Sequence, residues 1–421
     1  MAPCTFVFVP VGSHGDVHPL LGLALALQAR GHRCLFCANG YFRAMITTRG
    51  LDFIELGSAE QYLDLTGLPE LWHPRKGPLL LFAAMGALLR PAYQALLSLW
   101  QQQPLVLVAS PLCLAARLLH ETHAVPLVTT QLQPMALRSA HEPVMLPGLP
   151  PLRLPPAWLR QVQRLLDAVW LDPVLCPPLN ALRAELGLAP VRRVLAAWAN
   201  SPQRVLGLWP SWFAAPAADW PTALRLVGFP LFDEGDSNGL SPRLQEFLAT
   251  GTAPLVFTPG SAMRQGRAFF ATAVAVCERL GQRGILLTRF PEQLPTRLPA
   301  SVLADNYAPF ATLLPRCSAL IHHGGIGTLA QGLAAGLPQL VMPLAFDQHD
   351  NLRRLRELGV GDGLAPRQFS VARVSRMLQH LLQDPDVAAS CARARRSSAG
   401  HDGLRAACDS LEAVALEYSA G

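Results

Sequence analysis

The chain predicts an α/β fold built from two doubly wound parallel-sheet domains. Three observations lead there. Apolar strands alternate with helical stretches near both ends of the sequence. A proline-rich middle with little periodicity separates the two series. Each series also carries a glycine-rich turn directly after an apolar strand, where open α/β sheets hold their ligands.

In the first series, Thr5 to Val11 reads as a strand and Pro19 to Arg30 as a helix that stops at Gly31-His32. Arg33 to Ala38 is a strand, Tyr41 to Arg49 a helix and Phe53 to Leu56 a short strand. Leu105 to Ala109 and Leu127 to Thr130 flank a helix over Leu112 to Thr122. This βαβ order implies a parallel sheet covered on both faces.

Pro134 to Pro156 contains seven prolines and reads as a long loop. Trp158 to Leu171 and Leu179 to Leu186 return to helical spacing, and strands resume at Arg204 to Leu208 and Leu224 to Val227. The turn-rich run Gly228 to Gly239 is the linker candidate. In the second series, Leu255 to Thr258 is a strand, Phe269 to Leu280 a helix, and Gly284 to Thr288 and Val302 to Asn306 are strands. Phe310 to Pro315 is a short helix, followed by a strand over Ala319 to Ile321, a helix over Thr328 to Ala335 and a strand over Gln339 to Met342. The expected division is one domain over 1–228, a second over 229–402, and a helix over 403–421.

Composition narrows the class. The 421 residues suffice for two ordinary domains, and a 51% hydrophobic, 15% charged chain can bury sizeable cores. A net charge of +6 suits anionic ligands. Only Arg192-Arg193 and Arg393 to Arg396 cluster as basic runs, too few for a nucleic-acid surface. Nine cysteines without CxxC or Cys/His spacing are expected to be reduced, with no metal and a cytoplasmic setting. The apolar opening lacks a basic n-region and reads as a strand, not a signal. Leu79 to Leu89, closed by Arg90, is about half the roughly 20 residues that span a bilayer. Peripheral membrane contact stays open.

The most informative run is His322-His323-Gly324-Gly325-Ile326-Gly327-Thr328, with Gly336-Leu337-Pro338 and Asp347-Gln348-His349-Asp350-Asn351 after it. A strand, a glycine turn and a helix N-terminus together form an anion site, because backbone N–H groups and the helix dipole both favour negative charge. His322 can add a side-chain donor to a phosphate. Asp347 beside Gln348 supplies the carboxylate and amide that hold sugar hydroxyls. A diphosphate cradle beside a polyol clamp reads as a nucleotide-sugar site. Ser261, in Thr258-Pro259-Gly260-Ser261, is a further phosphate donor; Tyr307 can stack on a base while the Ala308 backbone reads its edge.

The first turn, Gly12-Ser13-His14-Gly15-Asp16-Val17-His18-Pro19, is not GxGxxG, so no dinucleotide fingerprint is present. Asp16 is either an N-cap for the helix opening near Pro19 or a general base that takes the proton from an attacking hydroxyl. His14 and His18 are rivals for that proton.

Taken together, these motifs resemble the GT-B glycosyltransferases of glycosyltransferase family 1, in their sterol- and antibiotic-type branch. The pattern G-[ST]-x-G-D-V-x-P matches Gly12 to Pro19, and H-x-G-G-x-G-T…G-x-P…D-Q-x-x-N matches His322 to Asn351. A narrower likeness to the rhamnosyltransferases of rhamnolipid biosynthesis runs through Ser201-Pro202-Gln203, Pro210 to Ala214, Asp219-Trp220-Pro221, Gly228 to Asp233 and Pro254 to Thr258. The resemblance implies two facing Rossmann-like domains with a cleft between them, the first binding the acceptor, the second the nucleotide sugar, with the 403–421 helix crossing back to the first. It also implies metal-free inverting transfer of L-rhamnose from dTDP-L-rhamnose. The implied acceptor is the hydroxyl of a 3-(3-hydroxyalkanoyloxy)alkanoic acid. It makes Asp16 the base and gives the diphosphate to His322, Gly324, Gly325, Gly327, Thr328 and Ser261. Tyr307 and Ala308 take the thymine, and Asp347 and Gln348 the rhamnose. Plant-type relatives have histidine in place of Asp16, paired with a second acid, so no dyad partner carries over. The implied partners are the nucleotide sugar and an anionic lipid acceptor, with transient association with the acyltransferase that makes it or with the inner membrane. Arg138, His141 or Arg153 are candidates for meeting the acceptor carboxylate. Rival readings are the same fold acting on a sterol, polyketide or carotenoid, and a non-catalytic subunit of an acyltransferase.

Overall fold

The computed structural model describes residues 3–419 apart from 74, 144, 146–150 and 234–238, so parts of the expected proline-rich loop and linker lie outside the described residues. The chain forms two compact units. One runs to Gly12, resumes from Pro19 to Pro230 and takes in the chain from Asp402 onward; the other comprises Ser13–His18 and Leu231–His401.

The first sheet contains β1 (Thr5–Val9), β2 (Arg33–Ala38), β3 (Asp52–Glu55), β4 (Val106–Ala109), β5 (Leu127–Gln131), β6 (Arg204–Gly207) and β7 (Leu224–Leu226). Their order is β3-β2-β1-β4-β5-β6-β7, and every pairing is parallel. Central strands such as Phe6-Val7-Phe8-Val9 are apolar at every position because helices cover both faces.

Helix α1 (His14–Ala29) begins five residues earlier than the sequence suggests and contains Pro19. The expected start placed Pro19 in the first turn, its usual position. The observed start is set by Ser13, whose carbonyl accepts from Asp16 and Val17 N–H at 2.9 and 3.1 Å. Helix α2 (Gly77–Gln102) also corrects an expectation: it continues through Arg90 and Pro91 for 26 residues. Phe82, Met85, Leu89, Ala92, Tyr93, Leu96 and Leu99 form a buried stripe across that proline, so packing outweighs the lost hydrogen bond. By length and composition α2 could cross a membrane, yet this stripe belongs to the first unit's core.

Helix α3 (Pro156–Leu166) runs into one wide i→i+5 turn over Asp167–Leu171 and then directly into α4 (Asp172–Glu185). The sequence suggests two separate helices here. Pro173 is tolerated because it falls in the first turn of α4.

The second sheet contains β8 (Leu255–Thr258), β9 (Gly284–Leu287), β10 (Val302–Asp305), β11 (Ala319–His322), β12 (Gln339–Val341) and β13 (Gly361–Gly363), in the order β10-β9-β8-β11-β12-β13. All pairings are parallel. Successive residues feed opposite cores: Leu255, Phe257 and Ile321 pack on one face, Val256 and Leu320 on the other. Helices α5 (Ile326–Ala335) and α6 (Gln348–Leu358) follow β11 and β12.

Helix α7 (Gly403–Ser419) packs on the first unit. Arg30 bridges Asp409 and Glu412, each at 2.7 Å, and Glu412 also meets His32 Nε2 at 3.0 Å. Ala407, Cys408, Leu411 and Val414 are its buried face.

Candidate functional site

In the second unit, the carboxyl ends of β8, β11 and β12 position the residues singled out by sequence. β11 pairs with both other strands, and His322 lies opposite Thr258 and Val341 in register. The turns after the three strands therefore sit side by side.

His322 is fully buried at the end of β11. Its Nδ1 accepts from Gly324 N–H at 3.1 Å, which leaves Nε2 to carry the proton and donate to Gln339 Oε1 at 3.0 Å. Gln339 is held in turn by donation from Nε2 to Leu329 O at 3.2 Å. Burial pushes the His322 pKa down to about 3, so the ring stays neutral. This corrects the expectation of a side-chain donor to phosphate: both ring nitrogens are engaged inside the protein. Here His322 fixes the turn. The Gly324 N–H is likewise taken, so the remaining backbone donors of the turn begin one residue later.

Those donors are the N–H groups of Gly325, Ile326, Gly327 and Thr328 at the start of α5, which no side chain caps. Gly324 has φ +95, and a Cβ there would come within 2.8 Å of Val341 Cγ1. His323 sits between two glycines. A Cβ on Gly260 would approach its ring to 2.9 Å, and one on Gly325 to 2.5 Å. The two glycine turns thus close around one imidazole. Burial pushes the His323 pKa down to about 4, and its buried Nδ1 has no hydrogen-bond partner. Ser261 is half-buried beside Gly260, and Thr328 is half-buried in the first turn of α5.

The turn after β12 delivers Asp347 and Gln348. Phe346 before them has φ +57, a left-handed conformation uncommon for a bulky side chain. Asp347 is half-buried, and its Oδ2 accepts from Asn351 Nδ2 at 2.6 Å. Desolvation raises its pKa to about 7 despite that bond. Gln348 is buried, and its Oε1 accepts from Leu344 and Ala345 N–H at 2.6 and 3.1 Å. The expectation that this amide both donates and accepts at a sugar is corrected: its oxygen is occupied, leaving its N–H groups as donors.

Asn351 was not singled out as a contact by sequence. Its Nδ2 also donates to Gly324 O at 2.8 Å, so one side chain couples the glycine turn to Asp347. Its place in the D-Q-x-x-N spacing, one helical turn beyond Asp347, was the available signal. Tyr307 is half-buried with the Arg289 guanidinium 6.0 Å from its ring centre, while Ala308 is buried in the core below.

The turn after β1 is held by hydrogen bonds between Ser13 and Asp16. Asp16 is the third residue of α1, not its N-cap, and its Oδ2 accepts from Ser13 N–H at 2.6 Å and Ser13 Oγ at 3.2 Å. Desolvation raises the Asp16 pKa to about 6, opposed by the bonds from Ser13. A carboxyl ionising near neutrality, with its other oxygen uncommitted, meets the requirements of a general base. His14 is buried and His18 half-buried in the same turn, their rings 5.5 Å apart.

Of the three residues suggested for the acceptor carboxylate, Arg138 is already committed. Its Nη1 lies 2.6 Å from Asp167 Oδ1, which is 2% exposed. His141 and Arg153 are exposed. All nine cysteines are free, and among the described residues no group of three His, Cys, Asp or Glu side chains could hold a metal.

Comparison with known proteins locates two matches. Residues 6–141 match the glycosyltransferase family 28 N-terminal domain, and residues 285–403 match the erythromycin biosynthesis protein CIII-like C-terminal domain. The chain is 27% identical over 437 residues to the O-mycaminosyltylonolide 6-deoxyallosyltransferase of Streptomyces fradiae, covering 96% of this chain and 95% of that protein. It is 24% identical over 427 residues to a sterol 3-beta-glucosyltransferase of Arabidopsis thaliana, covering 95% of this chain and 66% of the relative. The solved glycosyltransferase of kitacinnamycin superposes with TM-score 0.74 at 23% identity, over 98% of this chain and all of that one. The spinosyn rhamnosyltransferase SpnG complexed with thymidine diphosphate superposes with TM-score 0.67 at 20% identity, over 97% of this chain and all of that one.

Proposed function

Starting from a chain that is a glycosyltransferase of the GT-B fold, we propose that it moves L-rhamnose from dTDP-L-rhamnose to the hydroxyl of a 3-(3-hydroxyalkanoyloxy)alkanoic acid, giving a mono-rhamnolipid. The observation that carries the donor half is the set of uncapped N–H groups on Gly325, Ile326, Gly327 and Thr328, beside Asp347 and Gln348. The N–H groups and Ser261 hold the diphosphate, Tyr307 stacks on thymine beside the Ala308 backbone, and Asp347 and Gln348 hold the sugar. His322 and Gly324 act through the turn they set.

In the reaction, the acceptor oxygen attacks the anomeric carbon from the face opposite the diphosphate. The carbon–oxygen bond to the leaving phosphate breaks as the new one forms, inverting the centre. Asp16 receives the hydroxyl proton, and the α5 donors stabilise the charge growing on the diphosphate. No metal is called for in this scheme. The acceptor identity rests on the narrower resemblance alone, and the sugar identity on that resemblance beside a structural neighbour that is itself a rhamnosyltransferase. The setting proposed is the cytoplasm, next to the inner membrane.

A second reading keeps the chemistry and changes the substrates. The sterol glucosyltransferase and tylonolide-type relatives favour a polycyclic or macrolide acceptor with another dTDP- or UDP-sugar. Measuring kcat/KM for a matrix of donors and acceptors separates the two readings. The rhamnolipid reading requires dTDP-L-rhamnose with the hydroxyalkanoyloxyalkanoate to be the best pair by at least tenfold. A sterol or macrolide acceptor in first place would replace it.

A further inference from the structure

Helix α3 and the wide turn after it carry an apolar stripe that the protein leaves uncovered. Trp158 is 69% exposed, Leu165 63% and Val169 70%, with Leu154 exposed just before the helix. Trp158, Val162, Leu165 and Val169 recur at i, i+4, i+7 and i+11, the spacing of one helix face. The opposite face is committed to the protein: Leu159, Gln163, Asp167 and Leu171 are buried. Asp167 is tied to Arg138 at 2.6 Å and Arg193 at 3.3 Å. Asp167 and Leu171, four residues apart, are both buried while Val169 between them stays in solvent.

Charge on this element is one-sided. Arg160 and Arg164 are exposed on α3, one turn apart. Between Pro151 and Leu171 the only acidic residue is Asp167, and it is buried under two guanidinium groups. The solvent face therefore grades from a tryptophan-led apolar edge to a cationic edge, with no counter-charge of its own.

We infer that this face docks the protein on an anionic lipid surface, Trp158, Leu165 and Val169 entering the interface and Arg160 and Arg164 meeting the head groups. An in-plane amphipathic helix with a tryptophan on its apolar side and arginines on its polar side has the chemistry of such a surface. A second copy of the chain fits less well. Pairing this face with itself would bring arginines together without acids, and one short stripe supplies little of the roughly 800 Å² per partner of a stable interface. Nucleic acid would meet too much apolar surface and too few cations. Docking needs no sugar donor or acceptor, so it stands or falls separately from the proposed reaction.

The test is flotation of the full chain with vesicles of phosphatidylcholine alone or mixed equally with phosphatidylglycerol, at low and physiological salt. The wild type should float with the anionic vesicles only. Two cations near an anionic surface are together worth about thirtyfold in binding, so Arg160→Gln/Arg164→Gln should lose affinity of that order. Trp158→Ser/Val169→Ser should lose binding while keeping the wild-type melting temperature, since neither side chain is buried. Bromine-labelled acyl chains should quench wild-type tryptophan fluorescence more than that of Trp158→Ser. Equal flotation of all three proteins would overturn the inference. So would absence of flotation, or a concentration-dependent dimer that Trp158→Ser/Val169→Ser abolishes, which would assign the face to a second copy.

Discussion

Gln339 Oε1 lies 3.0 Å from His322 Nε2, and this bond decides what the glycine turn presents. With Nε2 donating to Gln339, Nδ1 is free to accept from Gly324 N–H, and the next four N–H groups, from Gly325 to Thr328, open α5 without a side-chain cap. A fully buried amide therefore sets the turn on which the proposed diphosphate site is built.

Gln339→Leu tests that relation. It would strand the His322 N–H in a dry core, at a cost of about 1–3 kcal/mol, and release the turn. The expected result is a lower melting temperature with donor KM raised several-fold and kcat changed less. Thermal unfolding and donor titration on one preparation check both. Unchanged donor KM would detach His322 from the site.

The His322 shift also fixes an acid limb for stability. A histidine held neutral when folded, near pKa 3, but titrating at about 6.5 when unfolded binds fewer protons in the native state between those values. The His322 contribution to stability should therefore fall as pH drops below about 6.5 and level off near 3. His323, near 4, acts in the same direction. Asp16 and Asp347, raised by burial to about 6 and about 7, bind more protons when folded and act in the opposite direction. The histidine contribution is therefore read by chemical denaturation as the part of the stability change from about pH 7.5 to 4 that His322→Asn removes.

Asp16 is expected to titrate near 6, so kcat should rise with pH through that value as the base ionises. Asp16→Asn should lower kcat by about 10²–10⁴-fold, leave donor affinity within a few-fold and remove the acid limb. Survival of most turnover would pass the role to His14 or His18.

The two glycines flanking His323 make a steric prediction. Gly260→Ala places a methyl 2.9 Å from the ring and requires an L-residue at φ +102; Gly325→Ala places one 2.5 Å away. Both should lose more than tenfold in dTDP affinity by calorimetry. Gly327→Ala, with no atom within 4 Å of the added carbon, should be milder.

Asn351→Ala removes donors to both Gly324 O and Asp347 Oδ2. Loss of the second should raise the Asp347 pKa above its value of about 7, because that bond favours the ionised form. If the ionised carboxylate is what accepts from the sugar hydroxyls, donor affinity in the wild type should improve as pH rises through about 7. The variant should need a higher pH for the same affinity.

Much of this was legible in the sequence, for physical reasons. Buried parallel strands are continuous apolar runs, so β1, β8 and β11 stand out, and the glycine turns after them announce a ligand edge. Where local signals compete with packing, the sequence misleads. Pro19 suggests a helix start, yet α1 starts earlier, where the Asp16 carboxylate accepts from Ser13 N–H and Oγ and the Ser13 carbonyl accepts from Asp16 N–H. Arg90-Pro91 suggests a stop, yet the buried stripe of α2 runs through it. The partners of His322 and Gln348 were not readable either, because they depend on which atoms β12 and the following turn bring near. A motif identifies a residue's neighbourhood, not which of its hydrogen bonds are already made.

The central claim is rhamnosyl transfer to a lipid hydroxyl with Asp16 as base. It is tested most directly by incubating the protein with dTDP-L-rhamnose and a C10–C10 hydroxyalkanoyloxyalkanoate, then reading product mass and anomeric configuration. The expected product is heavier by one rhamnosyl unit, inverted at the anomeric carbon and nearly absent with Asp16→Asn. Retained configuration, or no rhamnosyl product from protein that still binds the donor, would contradict it.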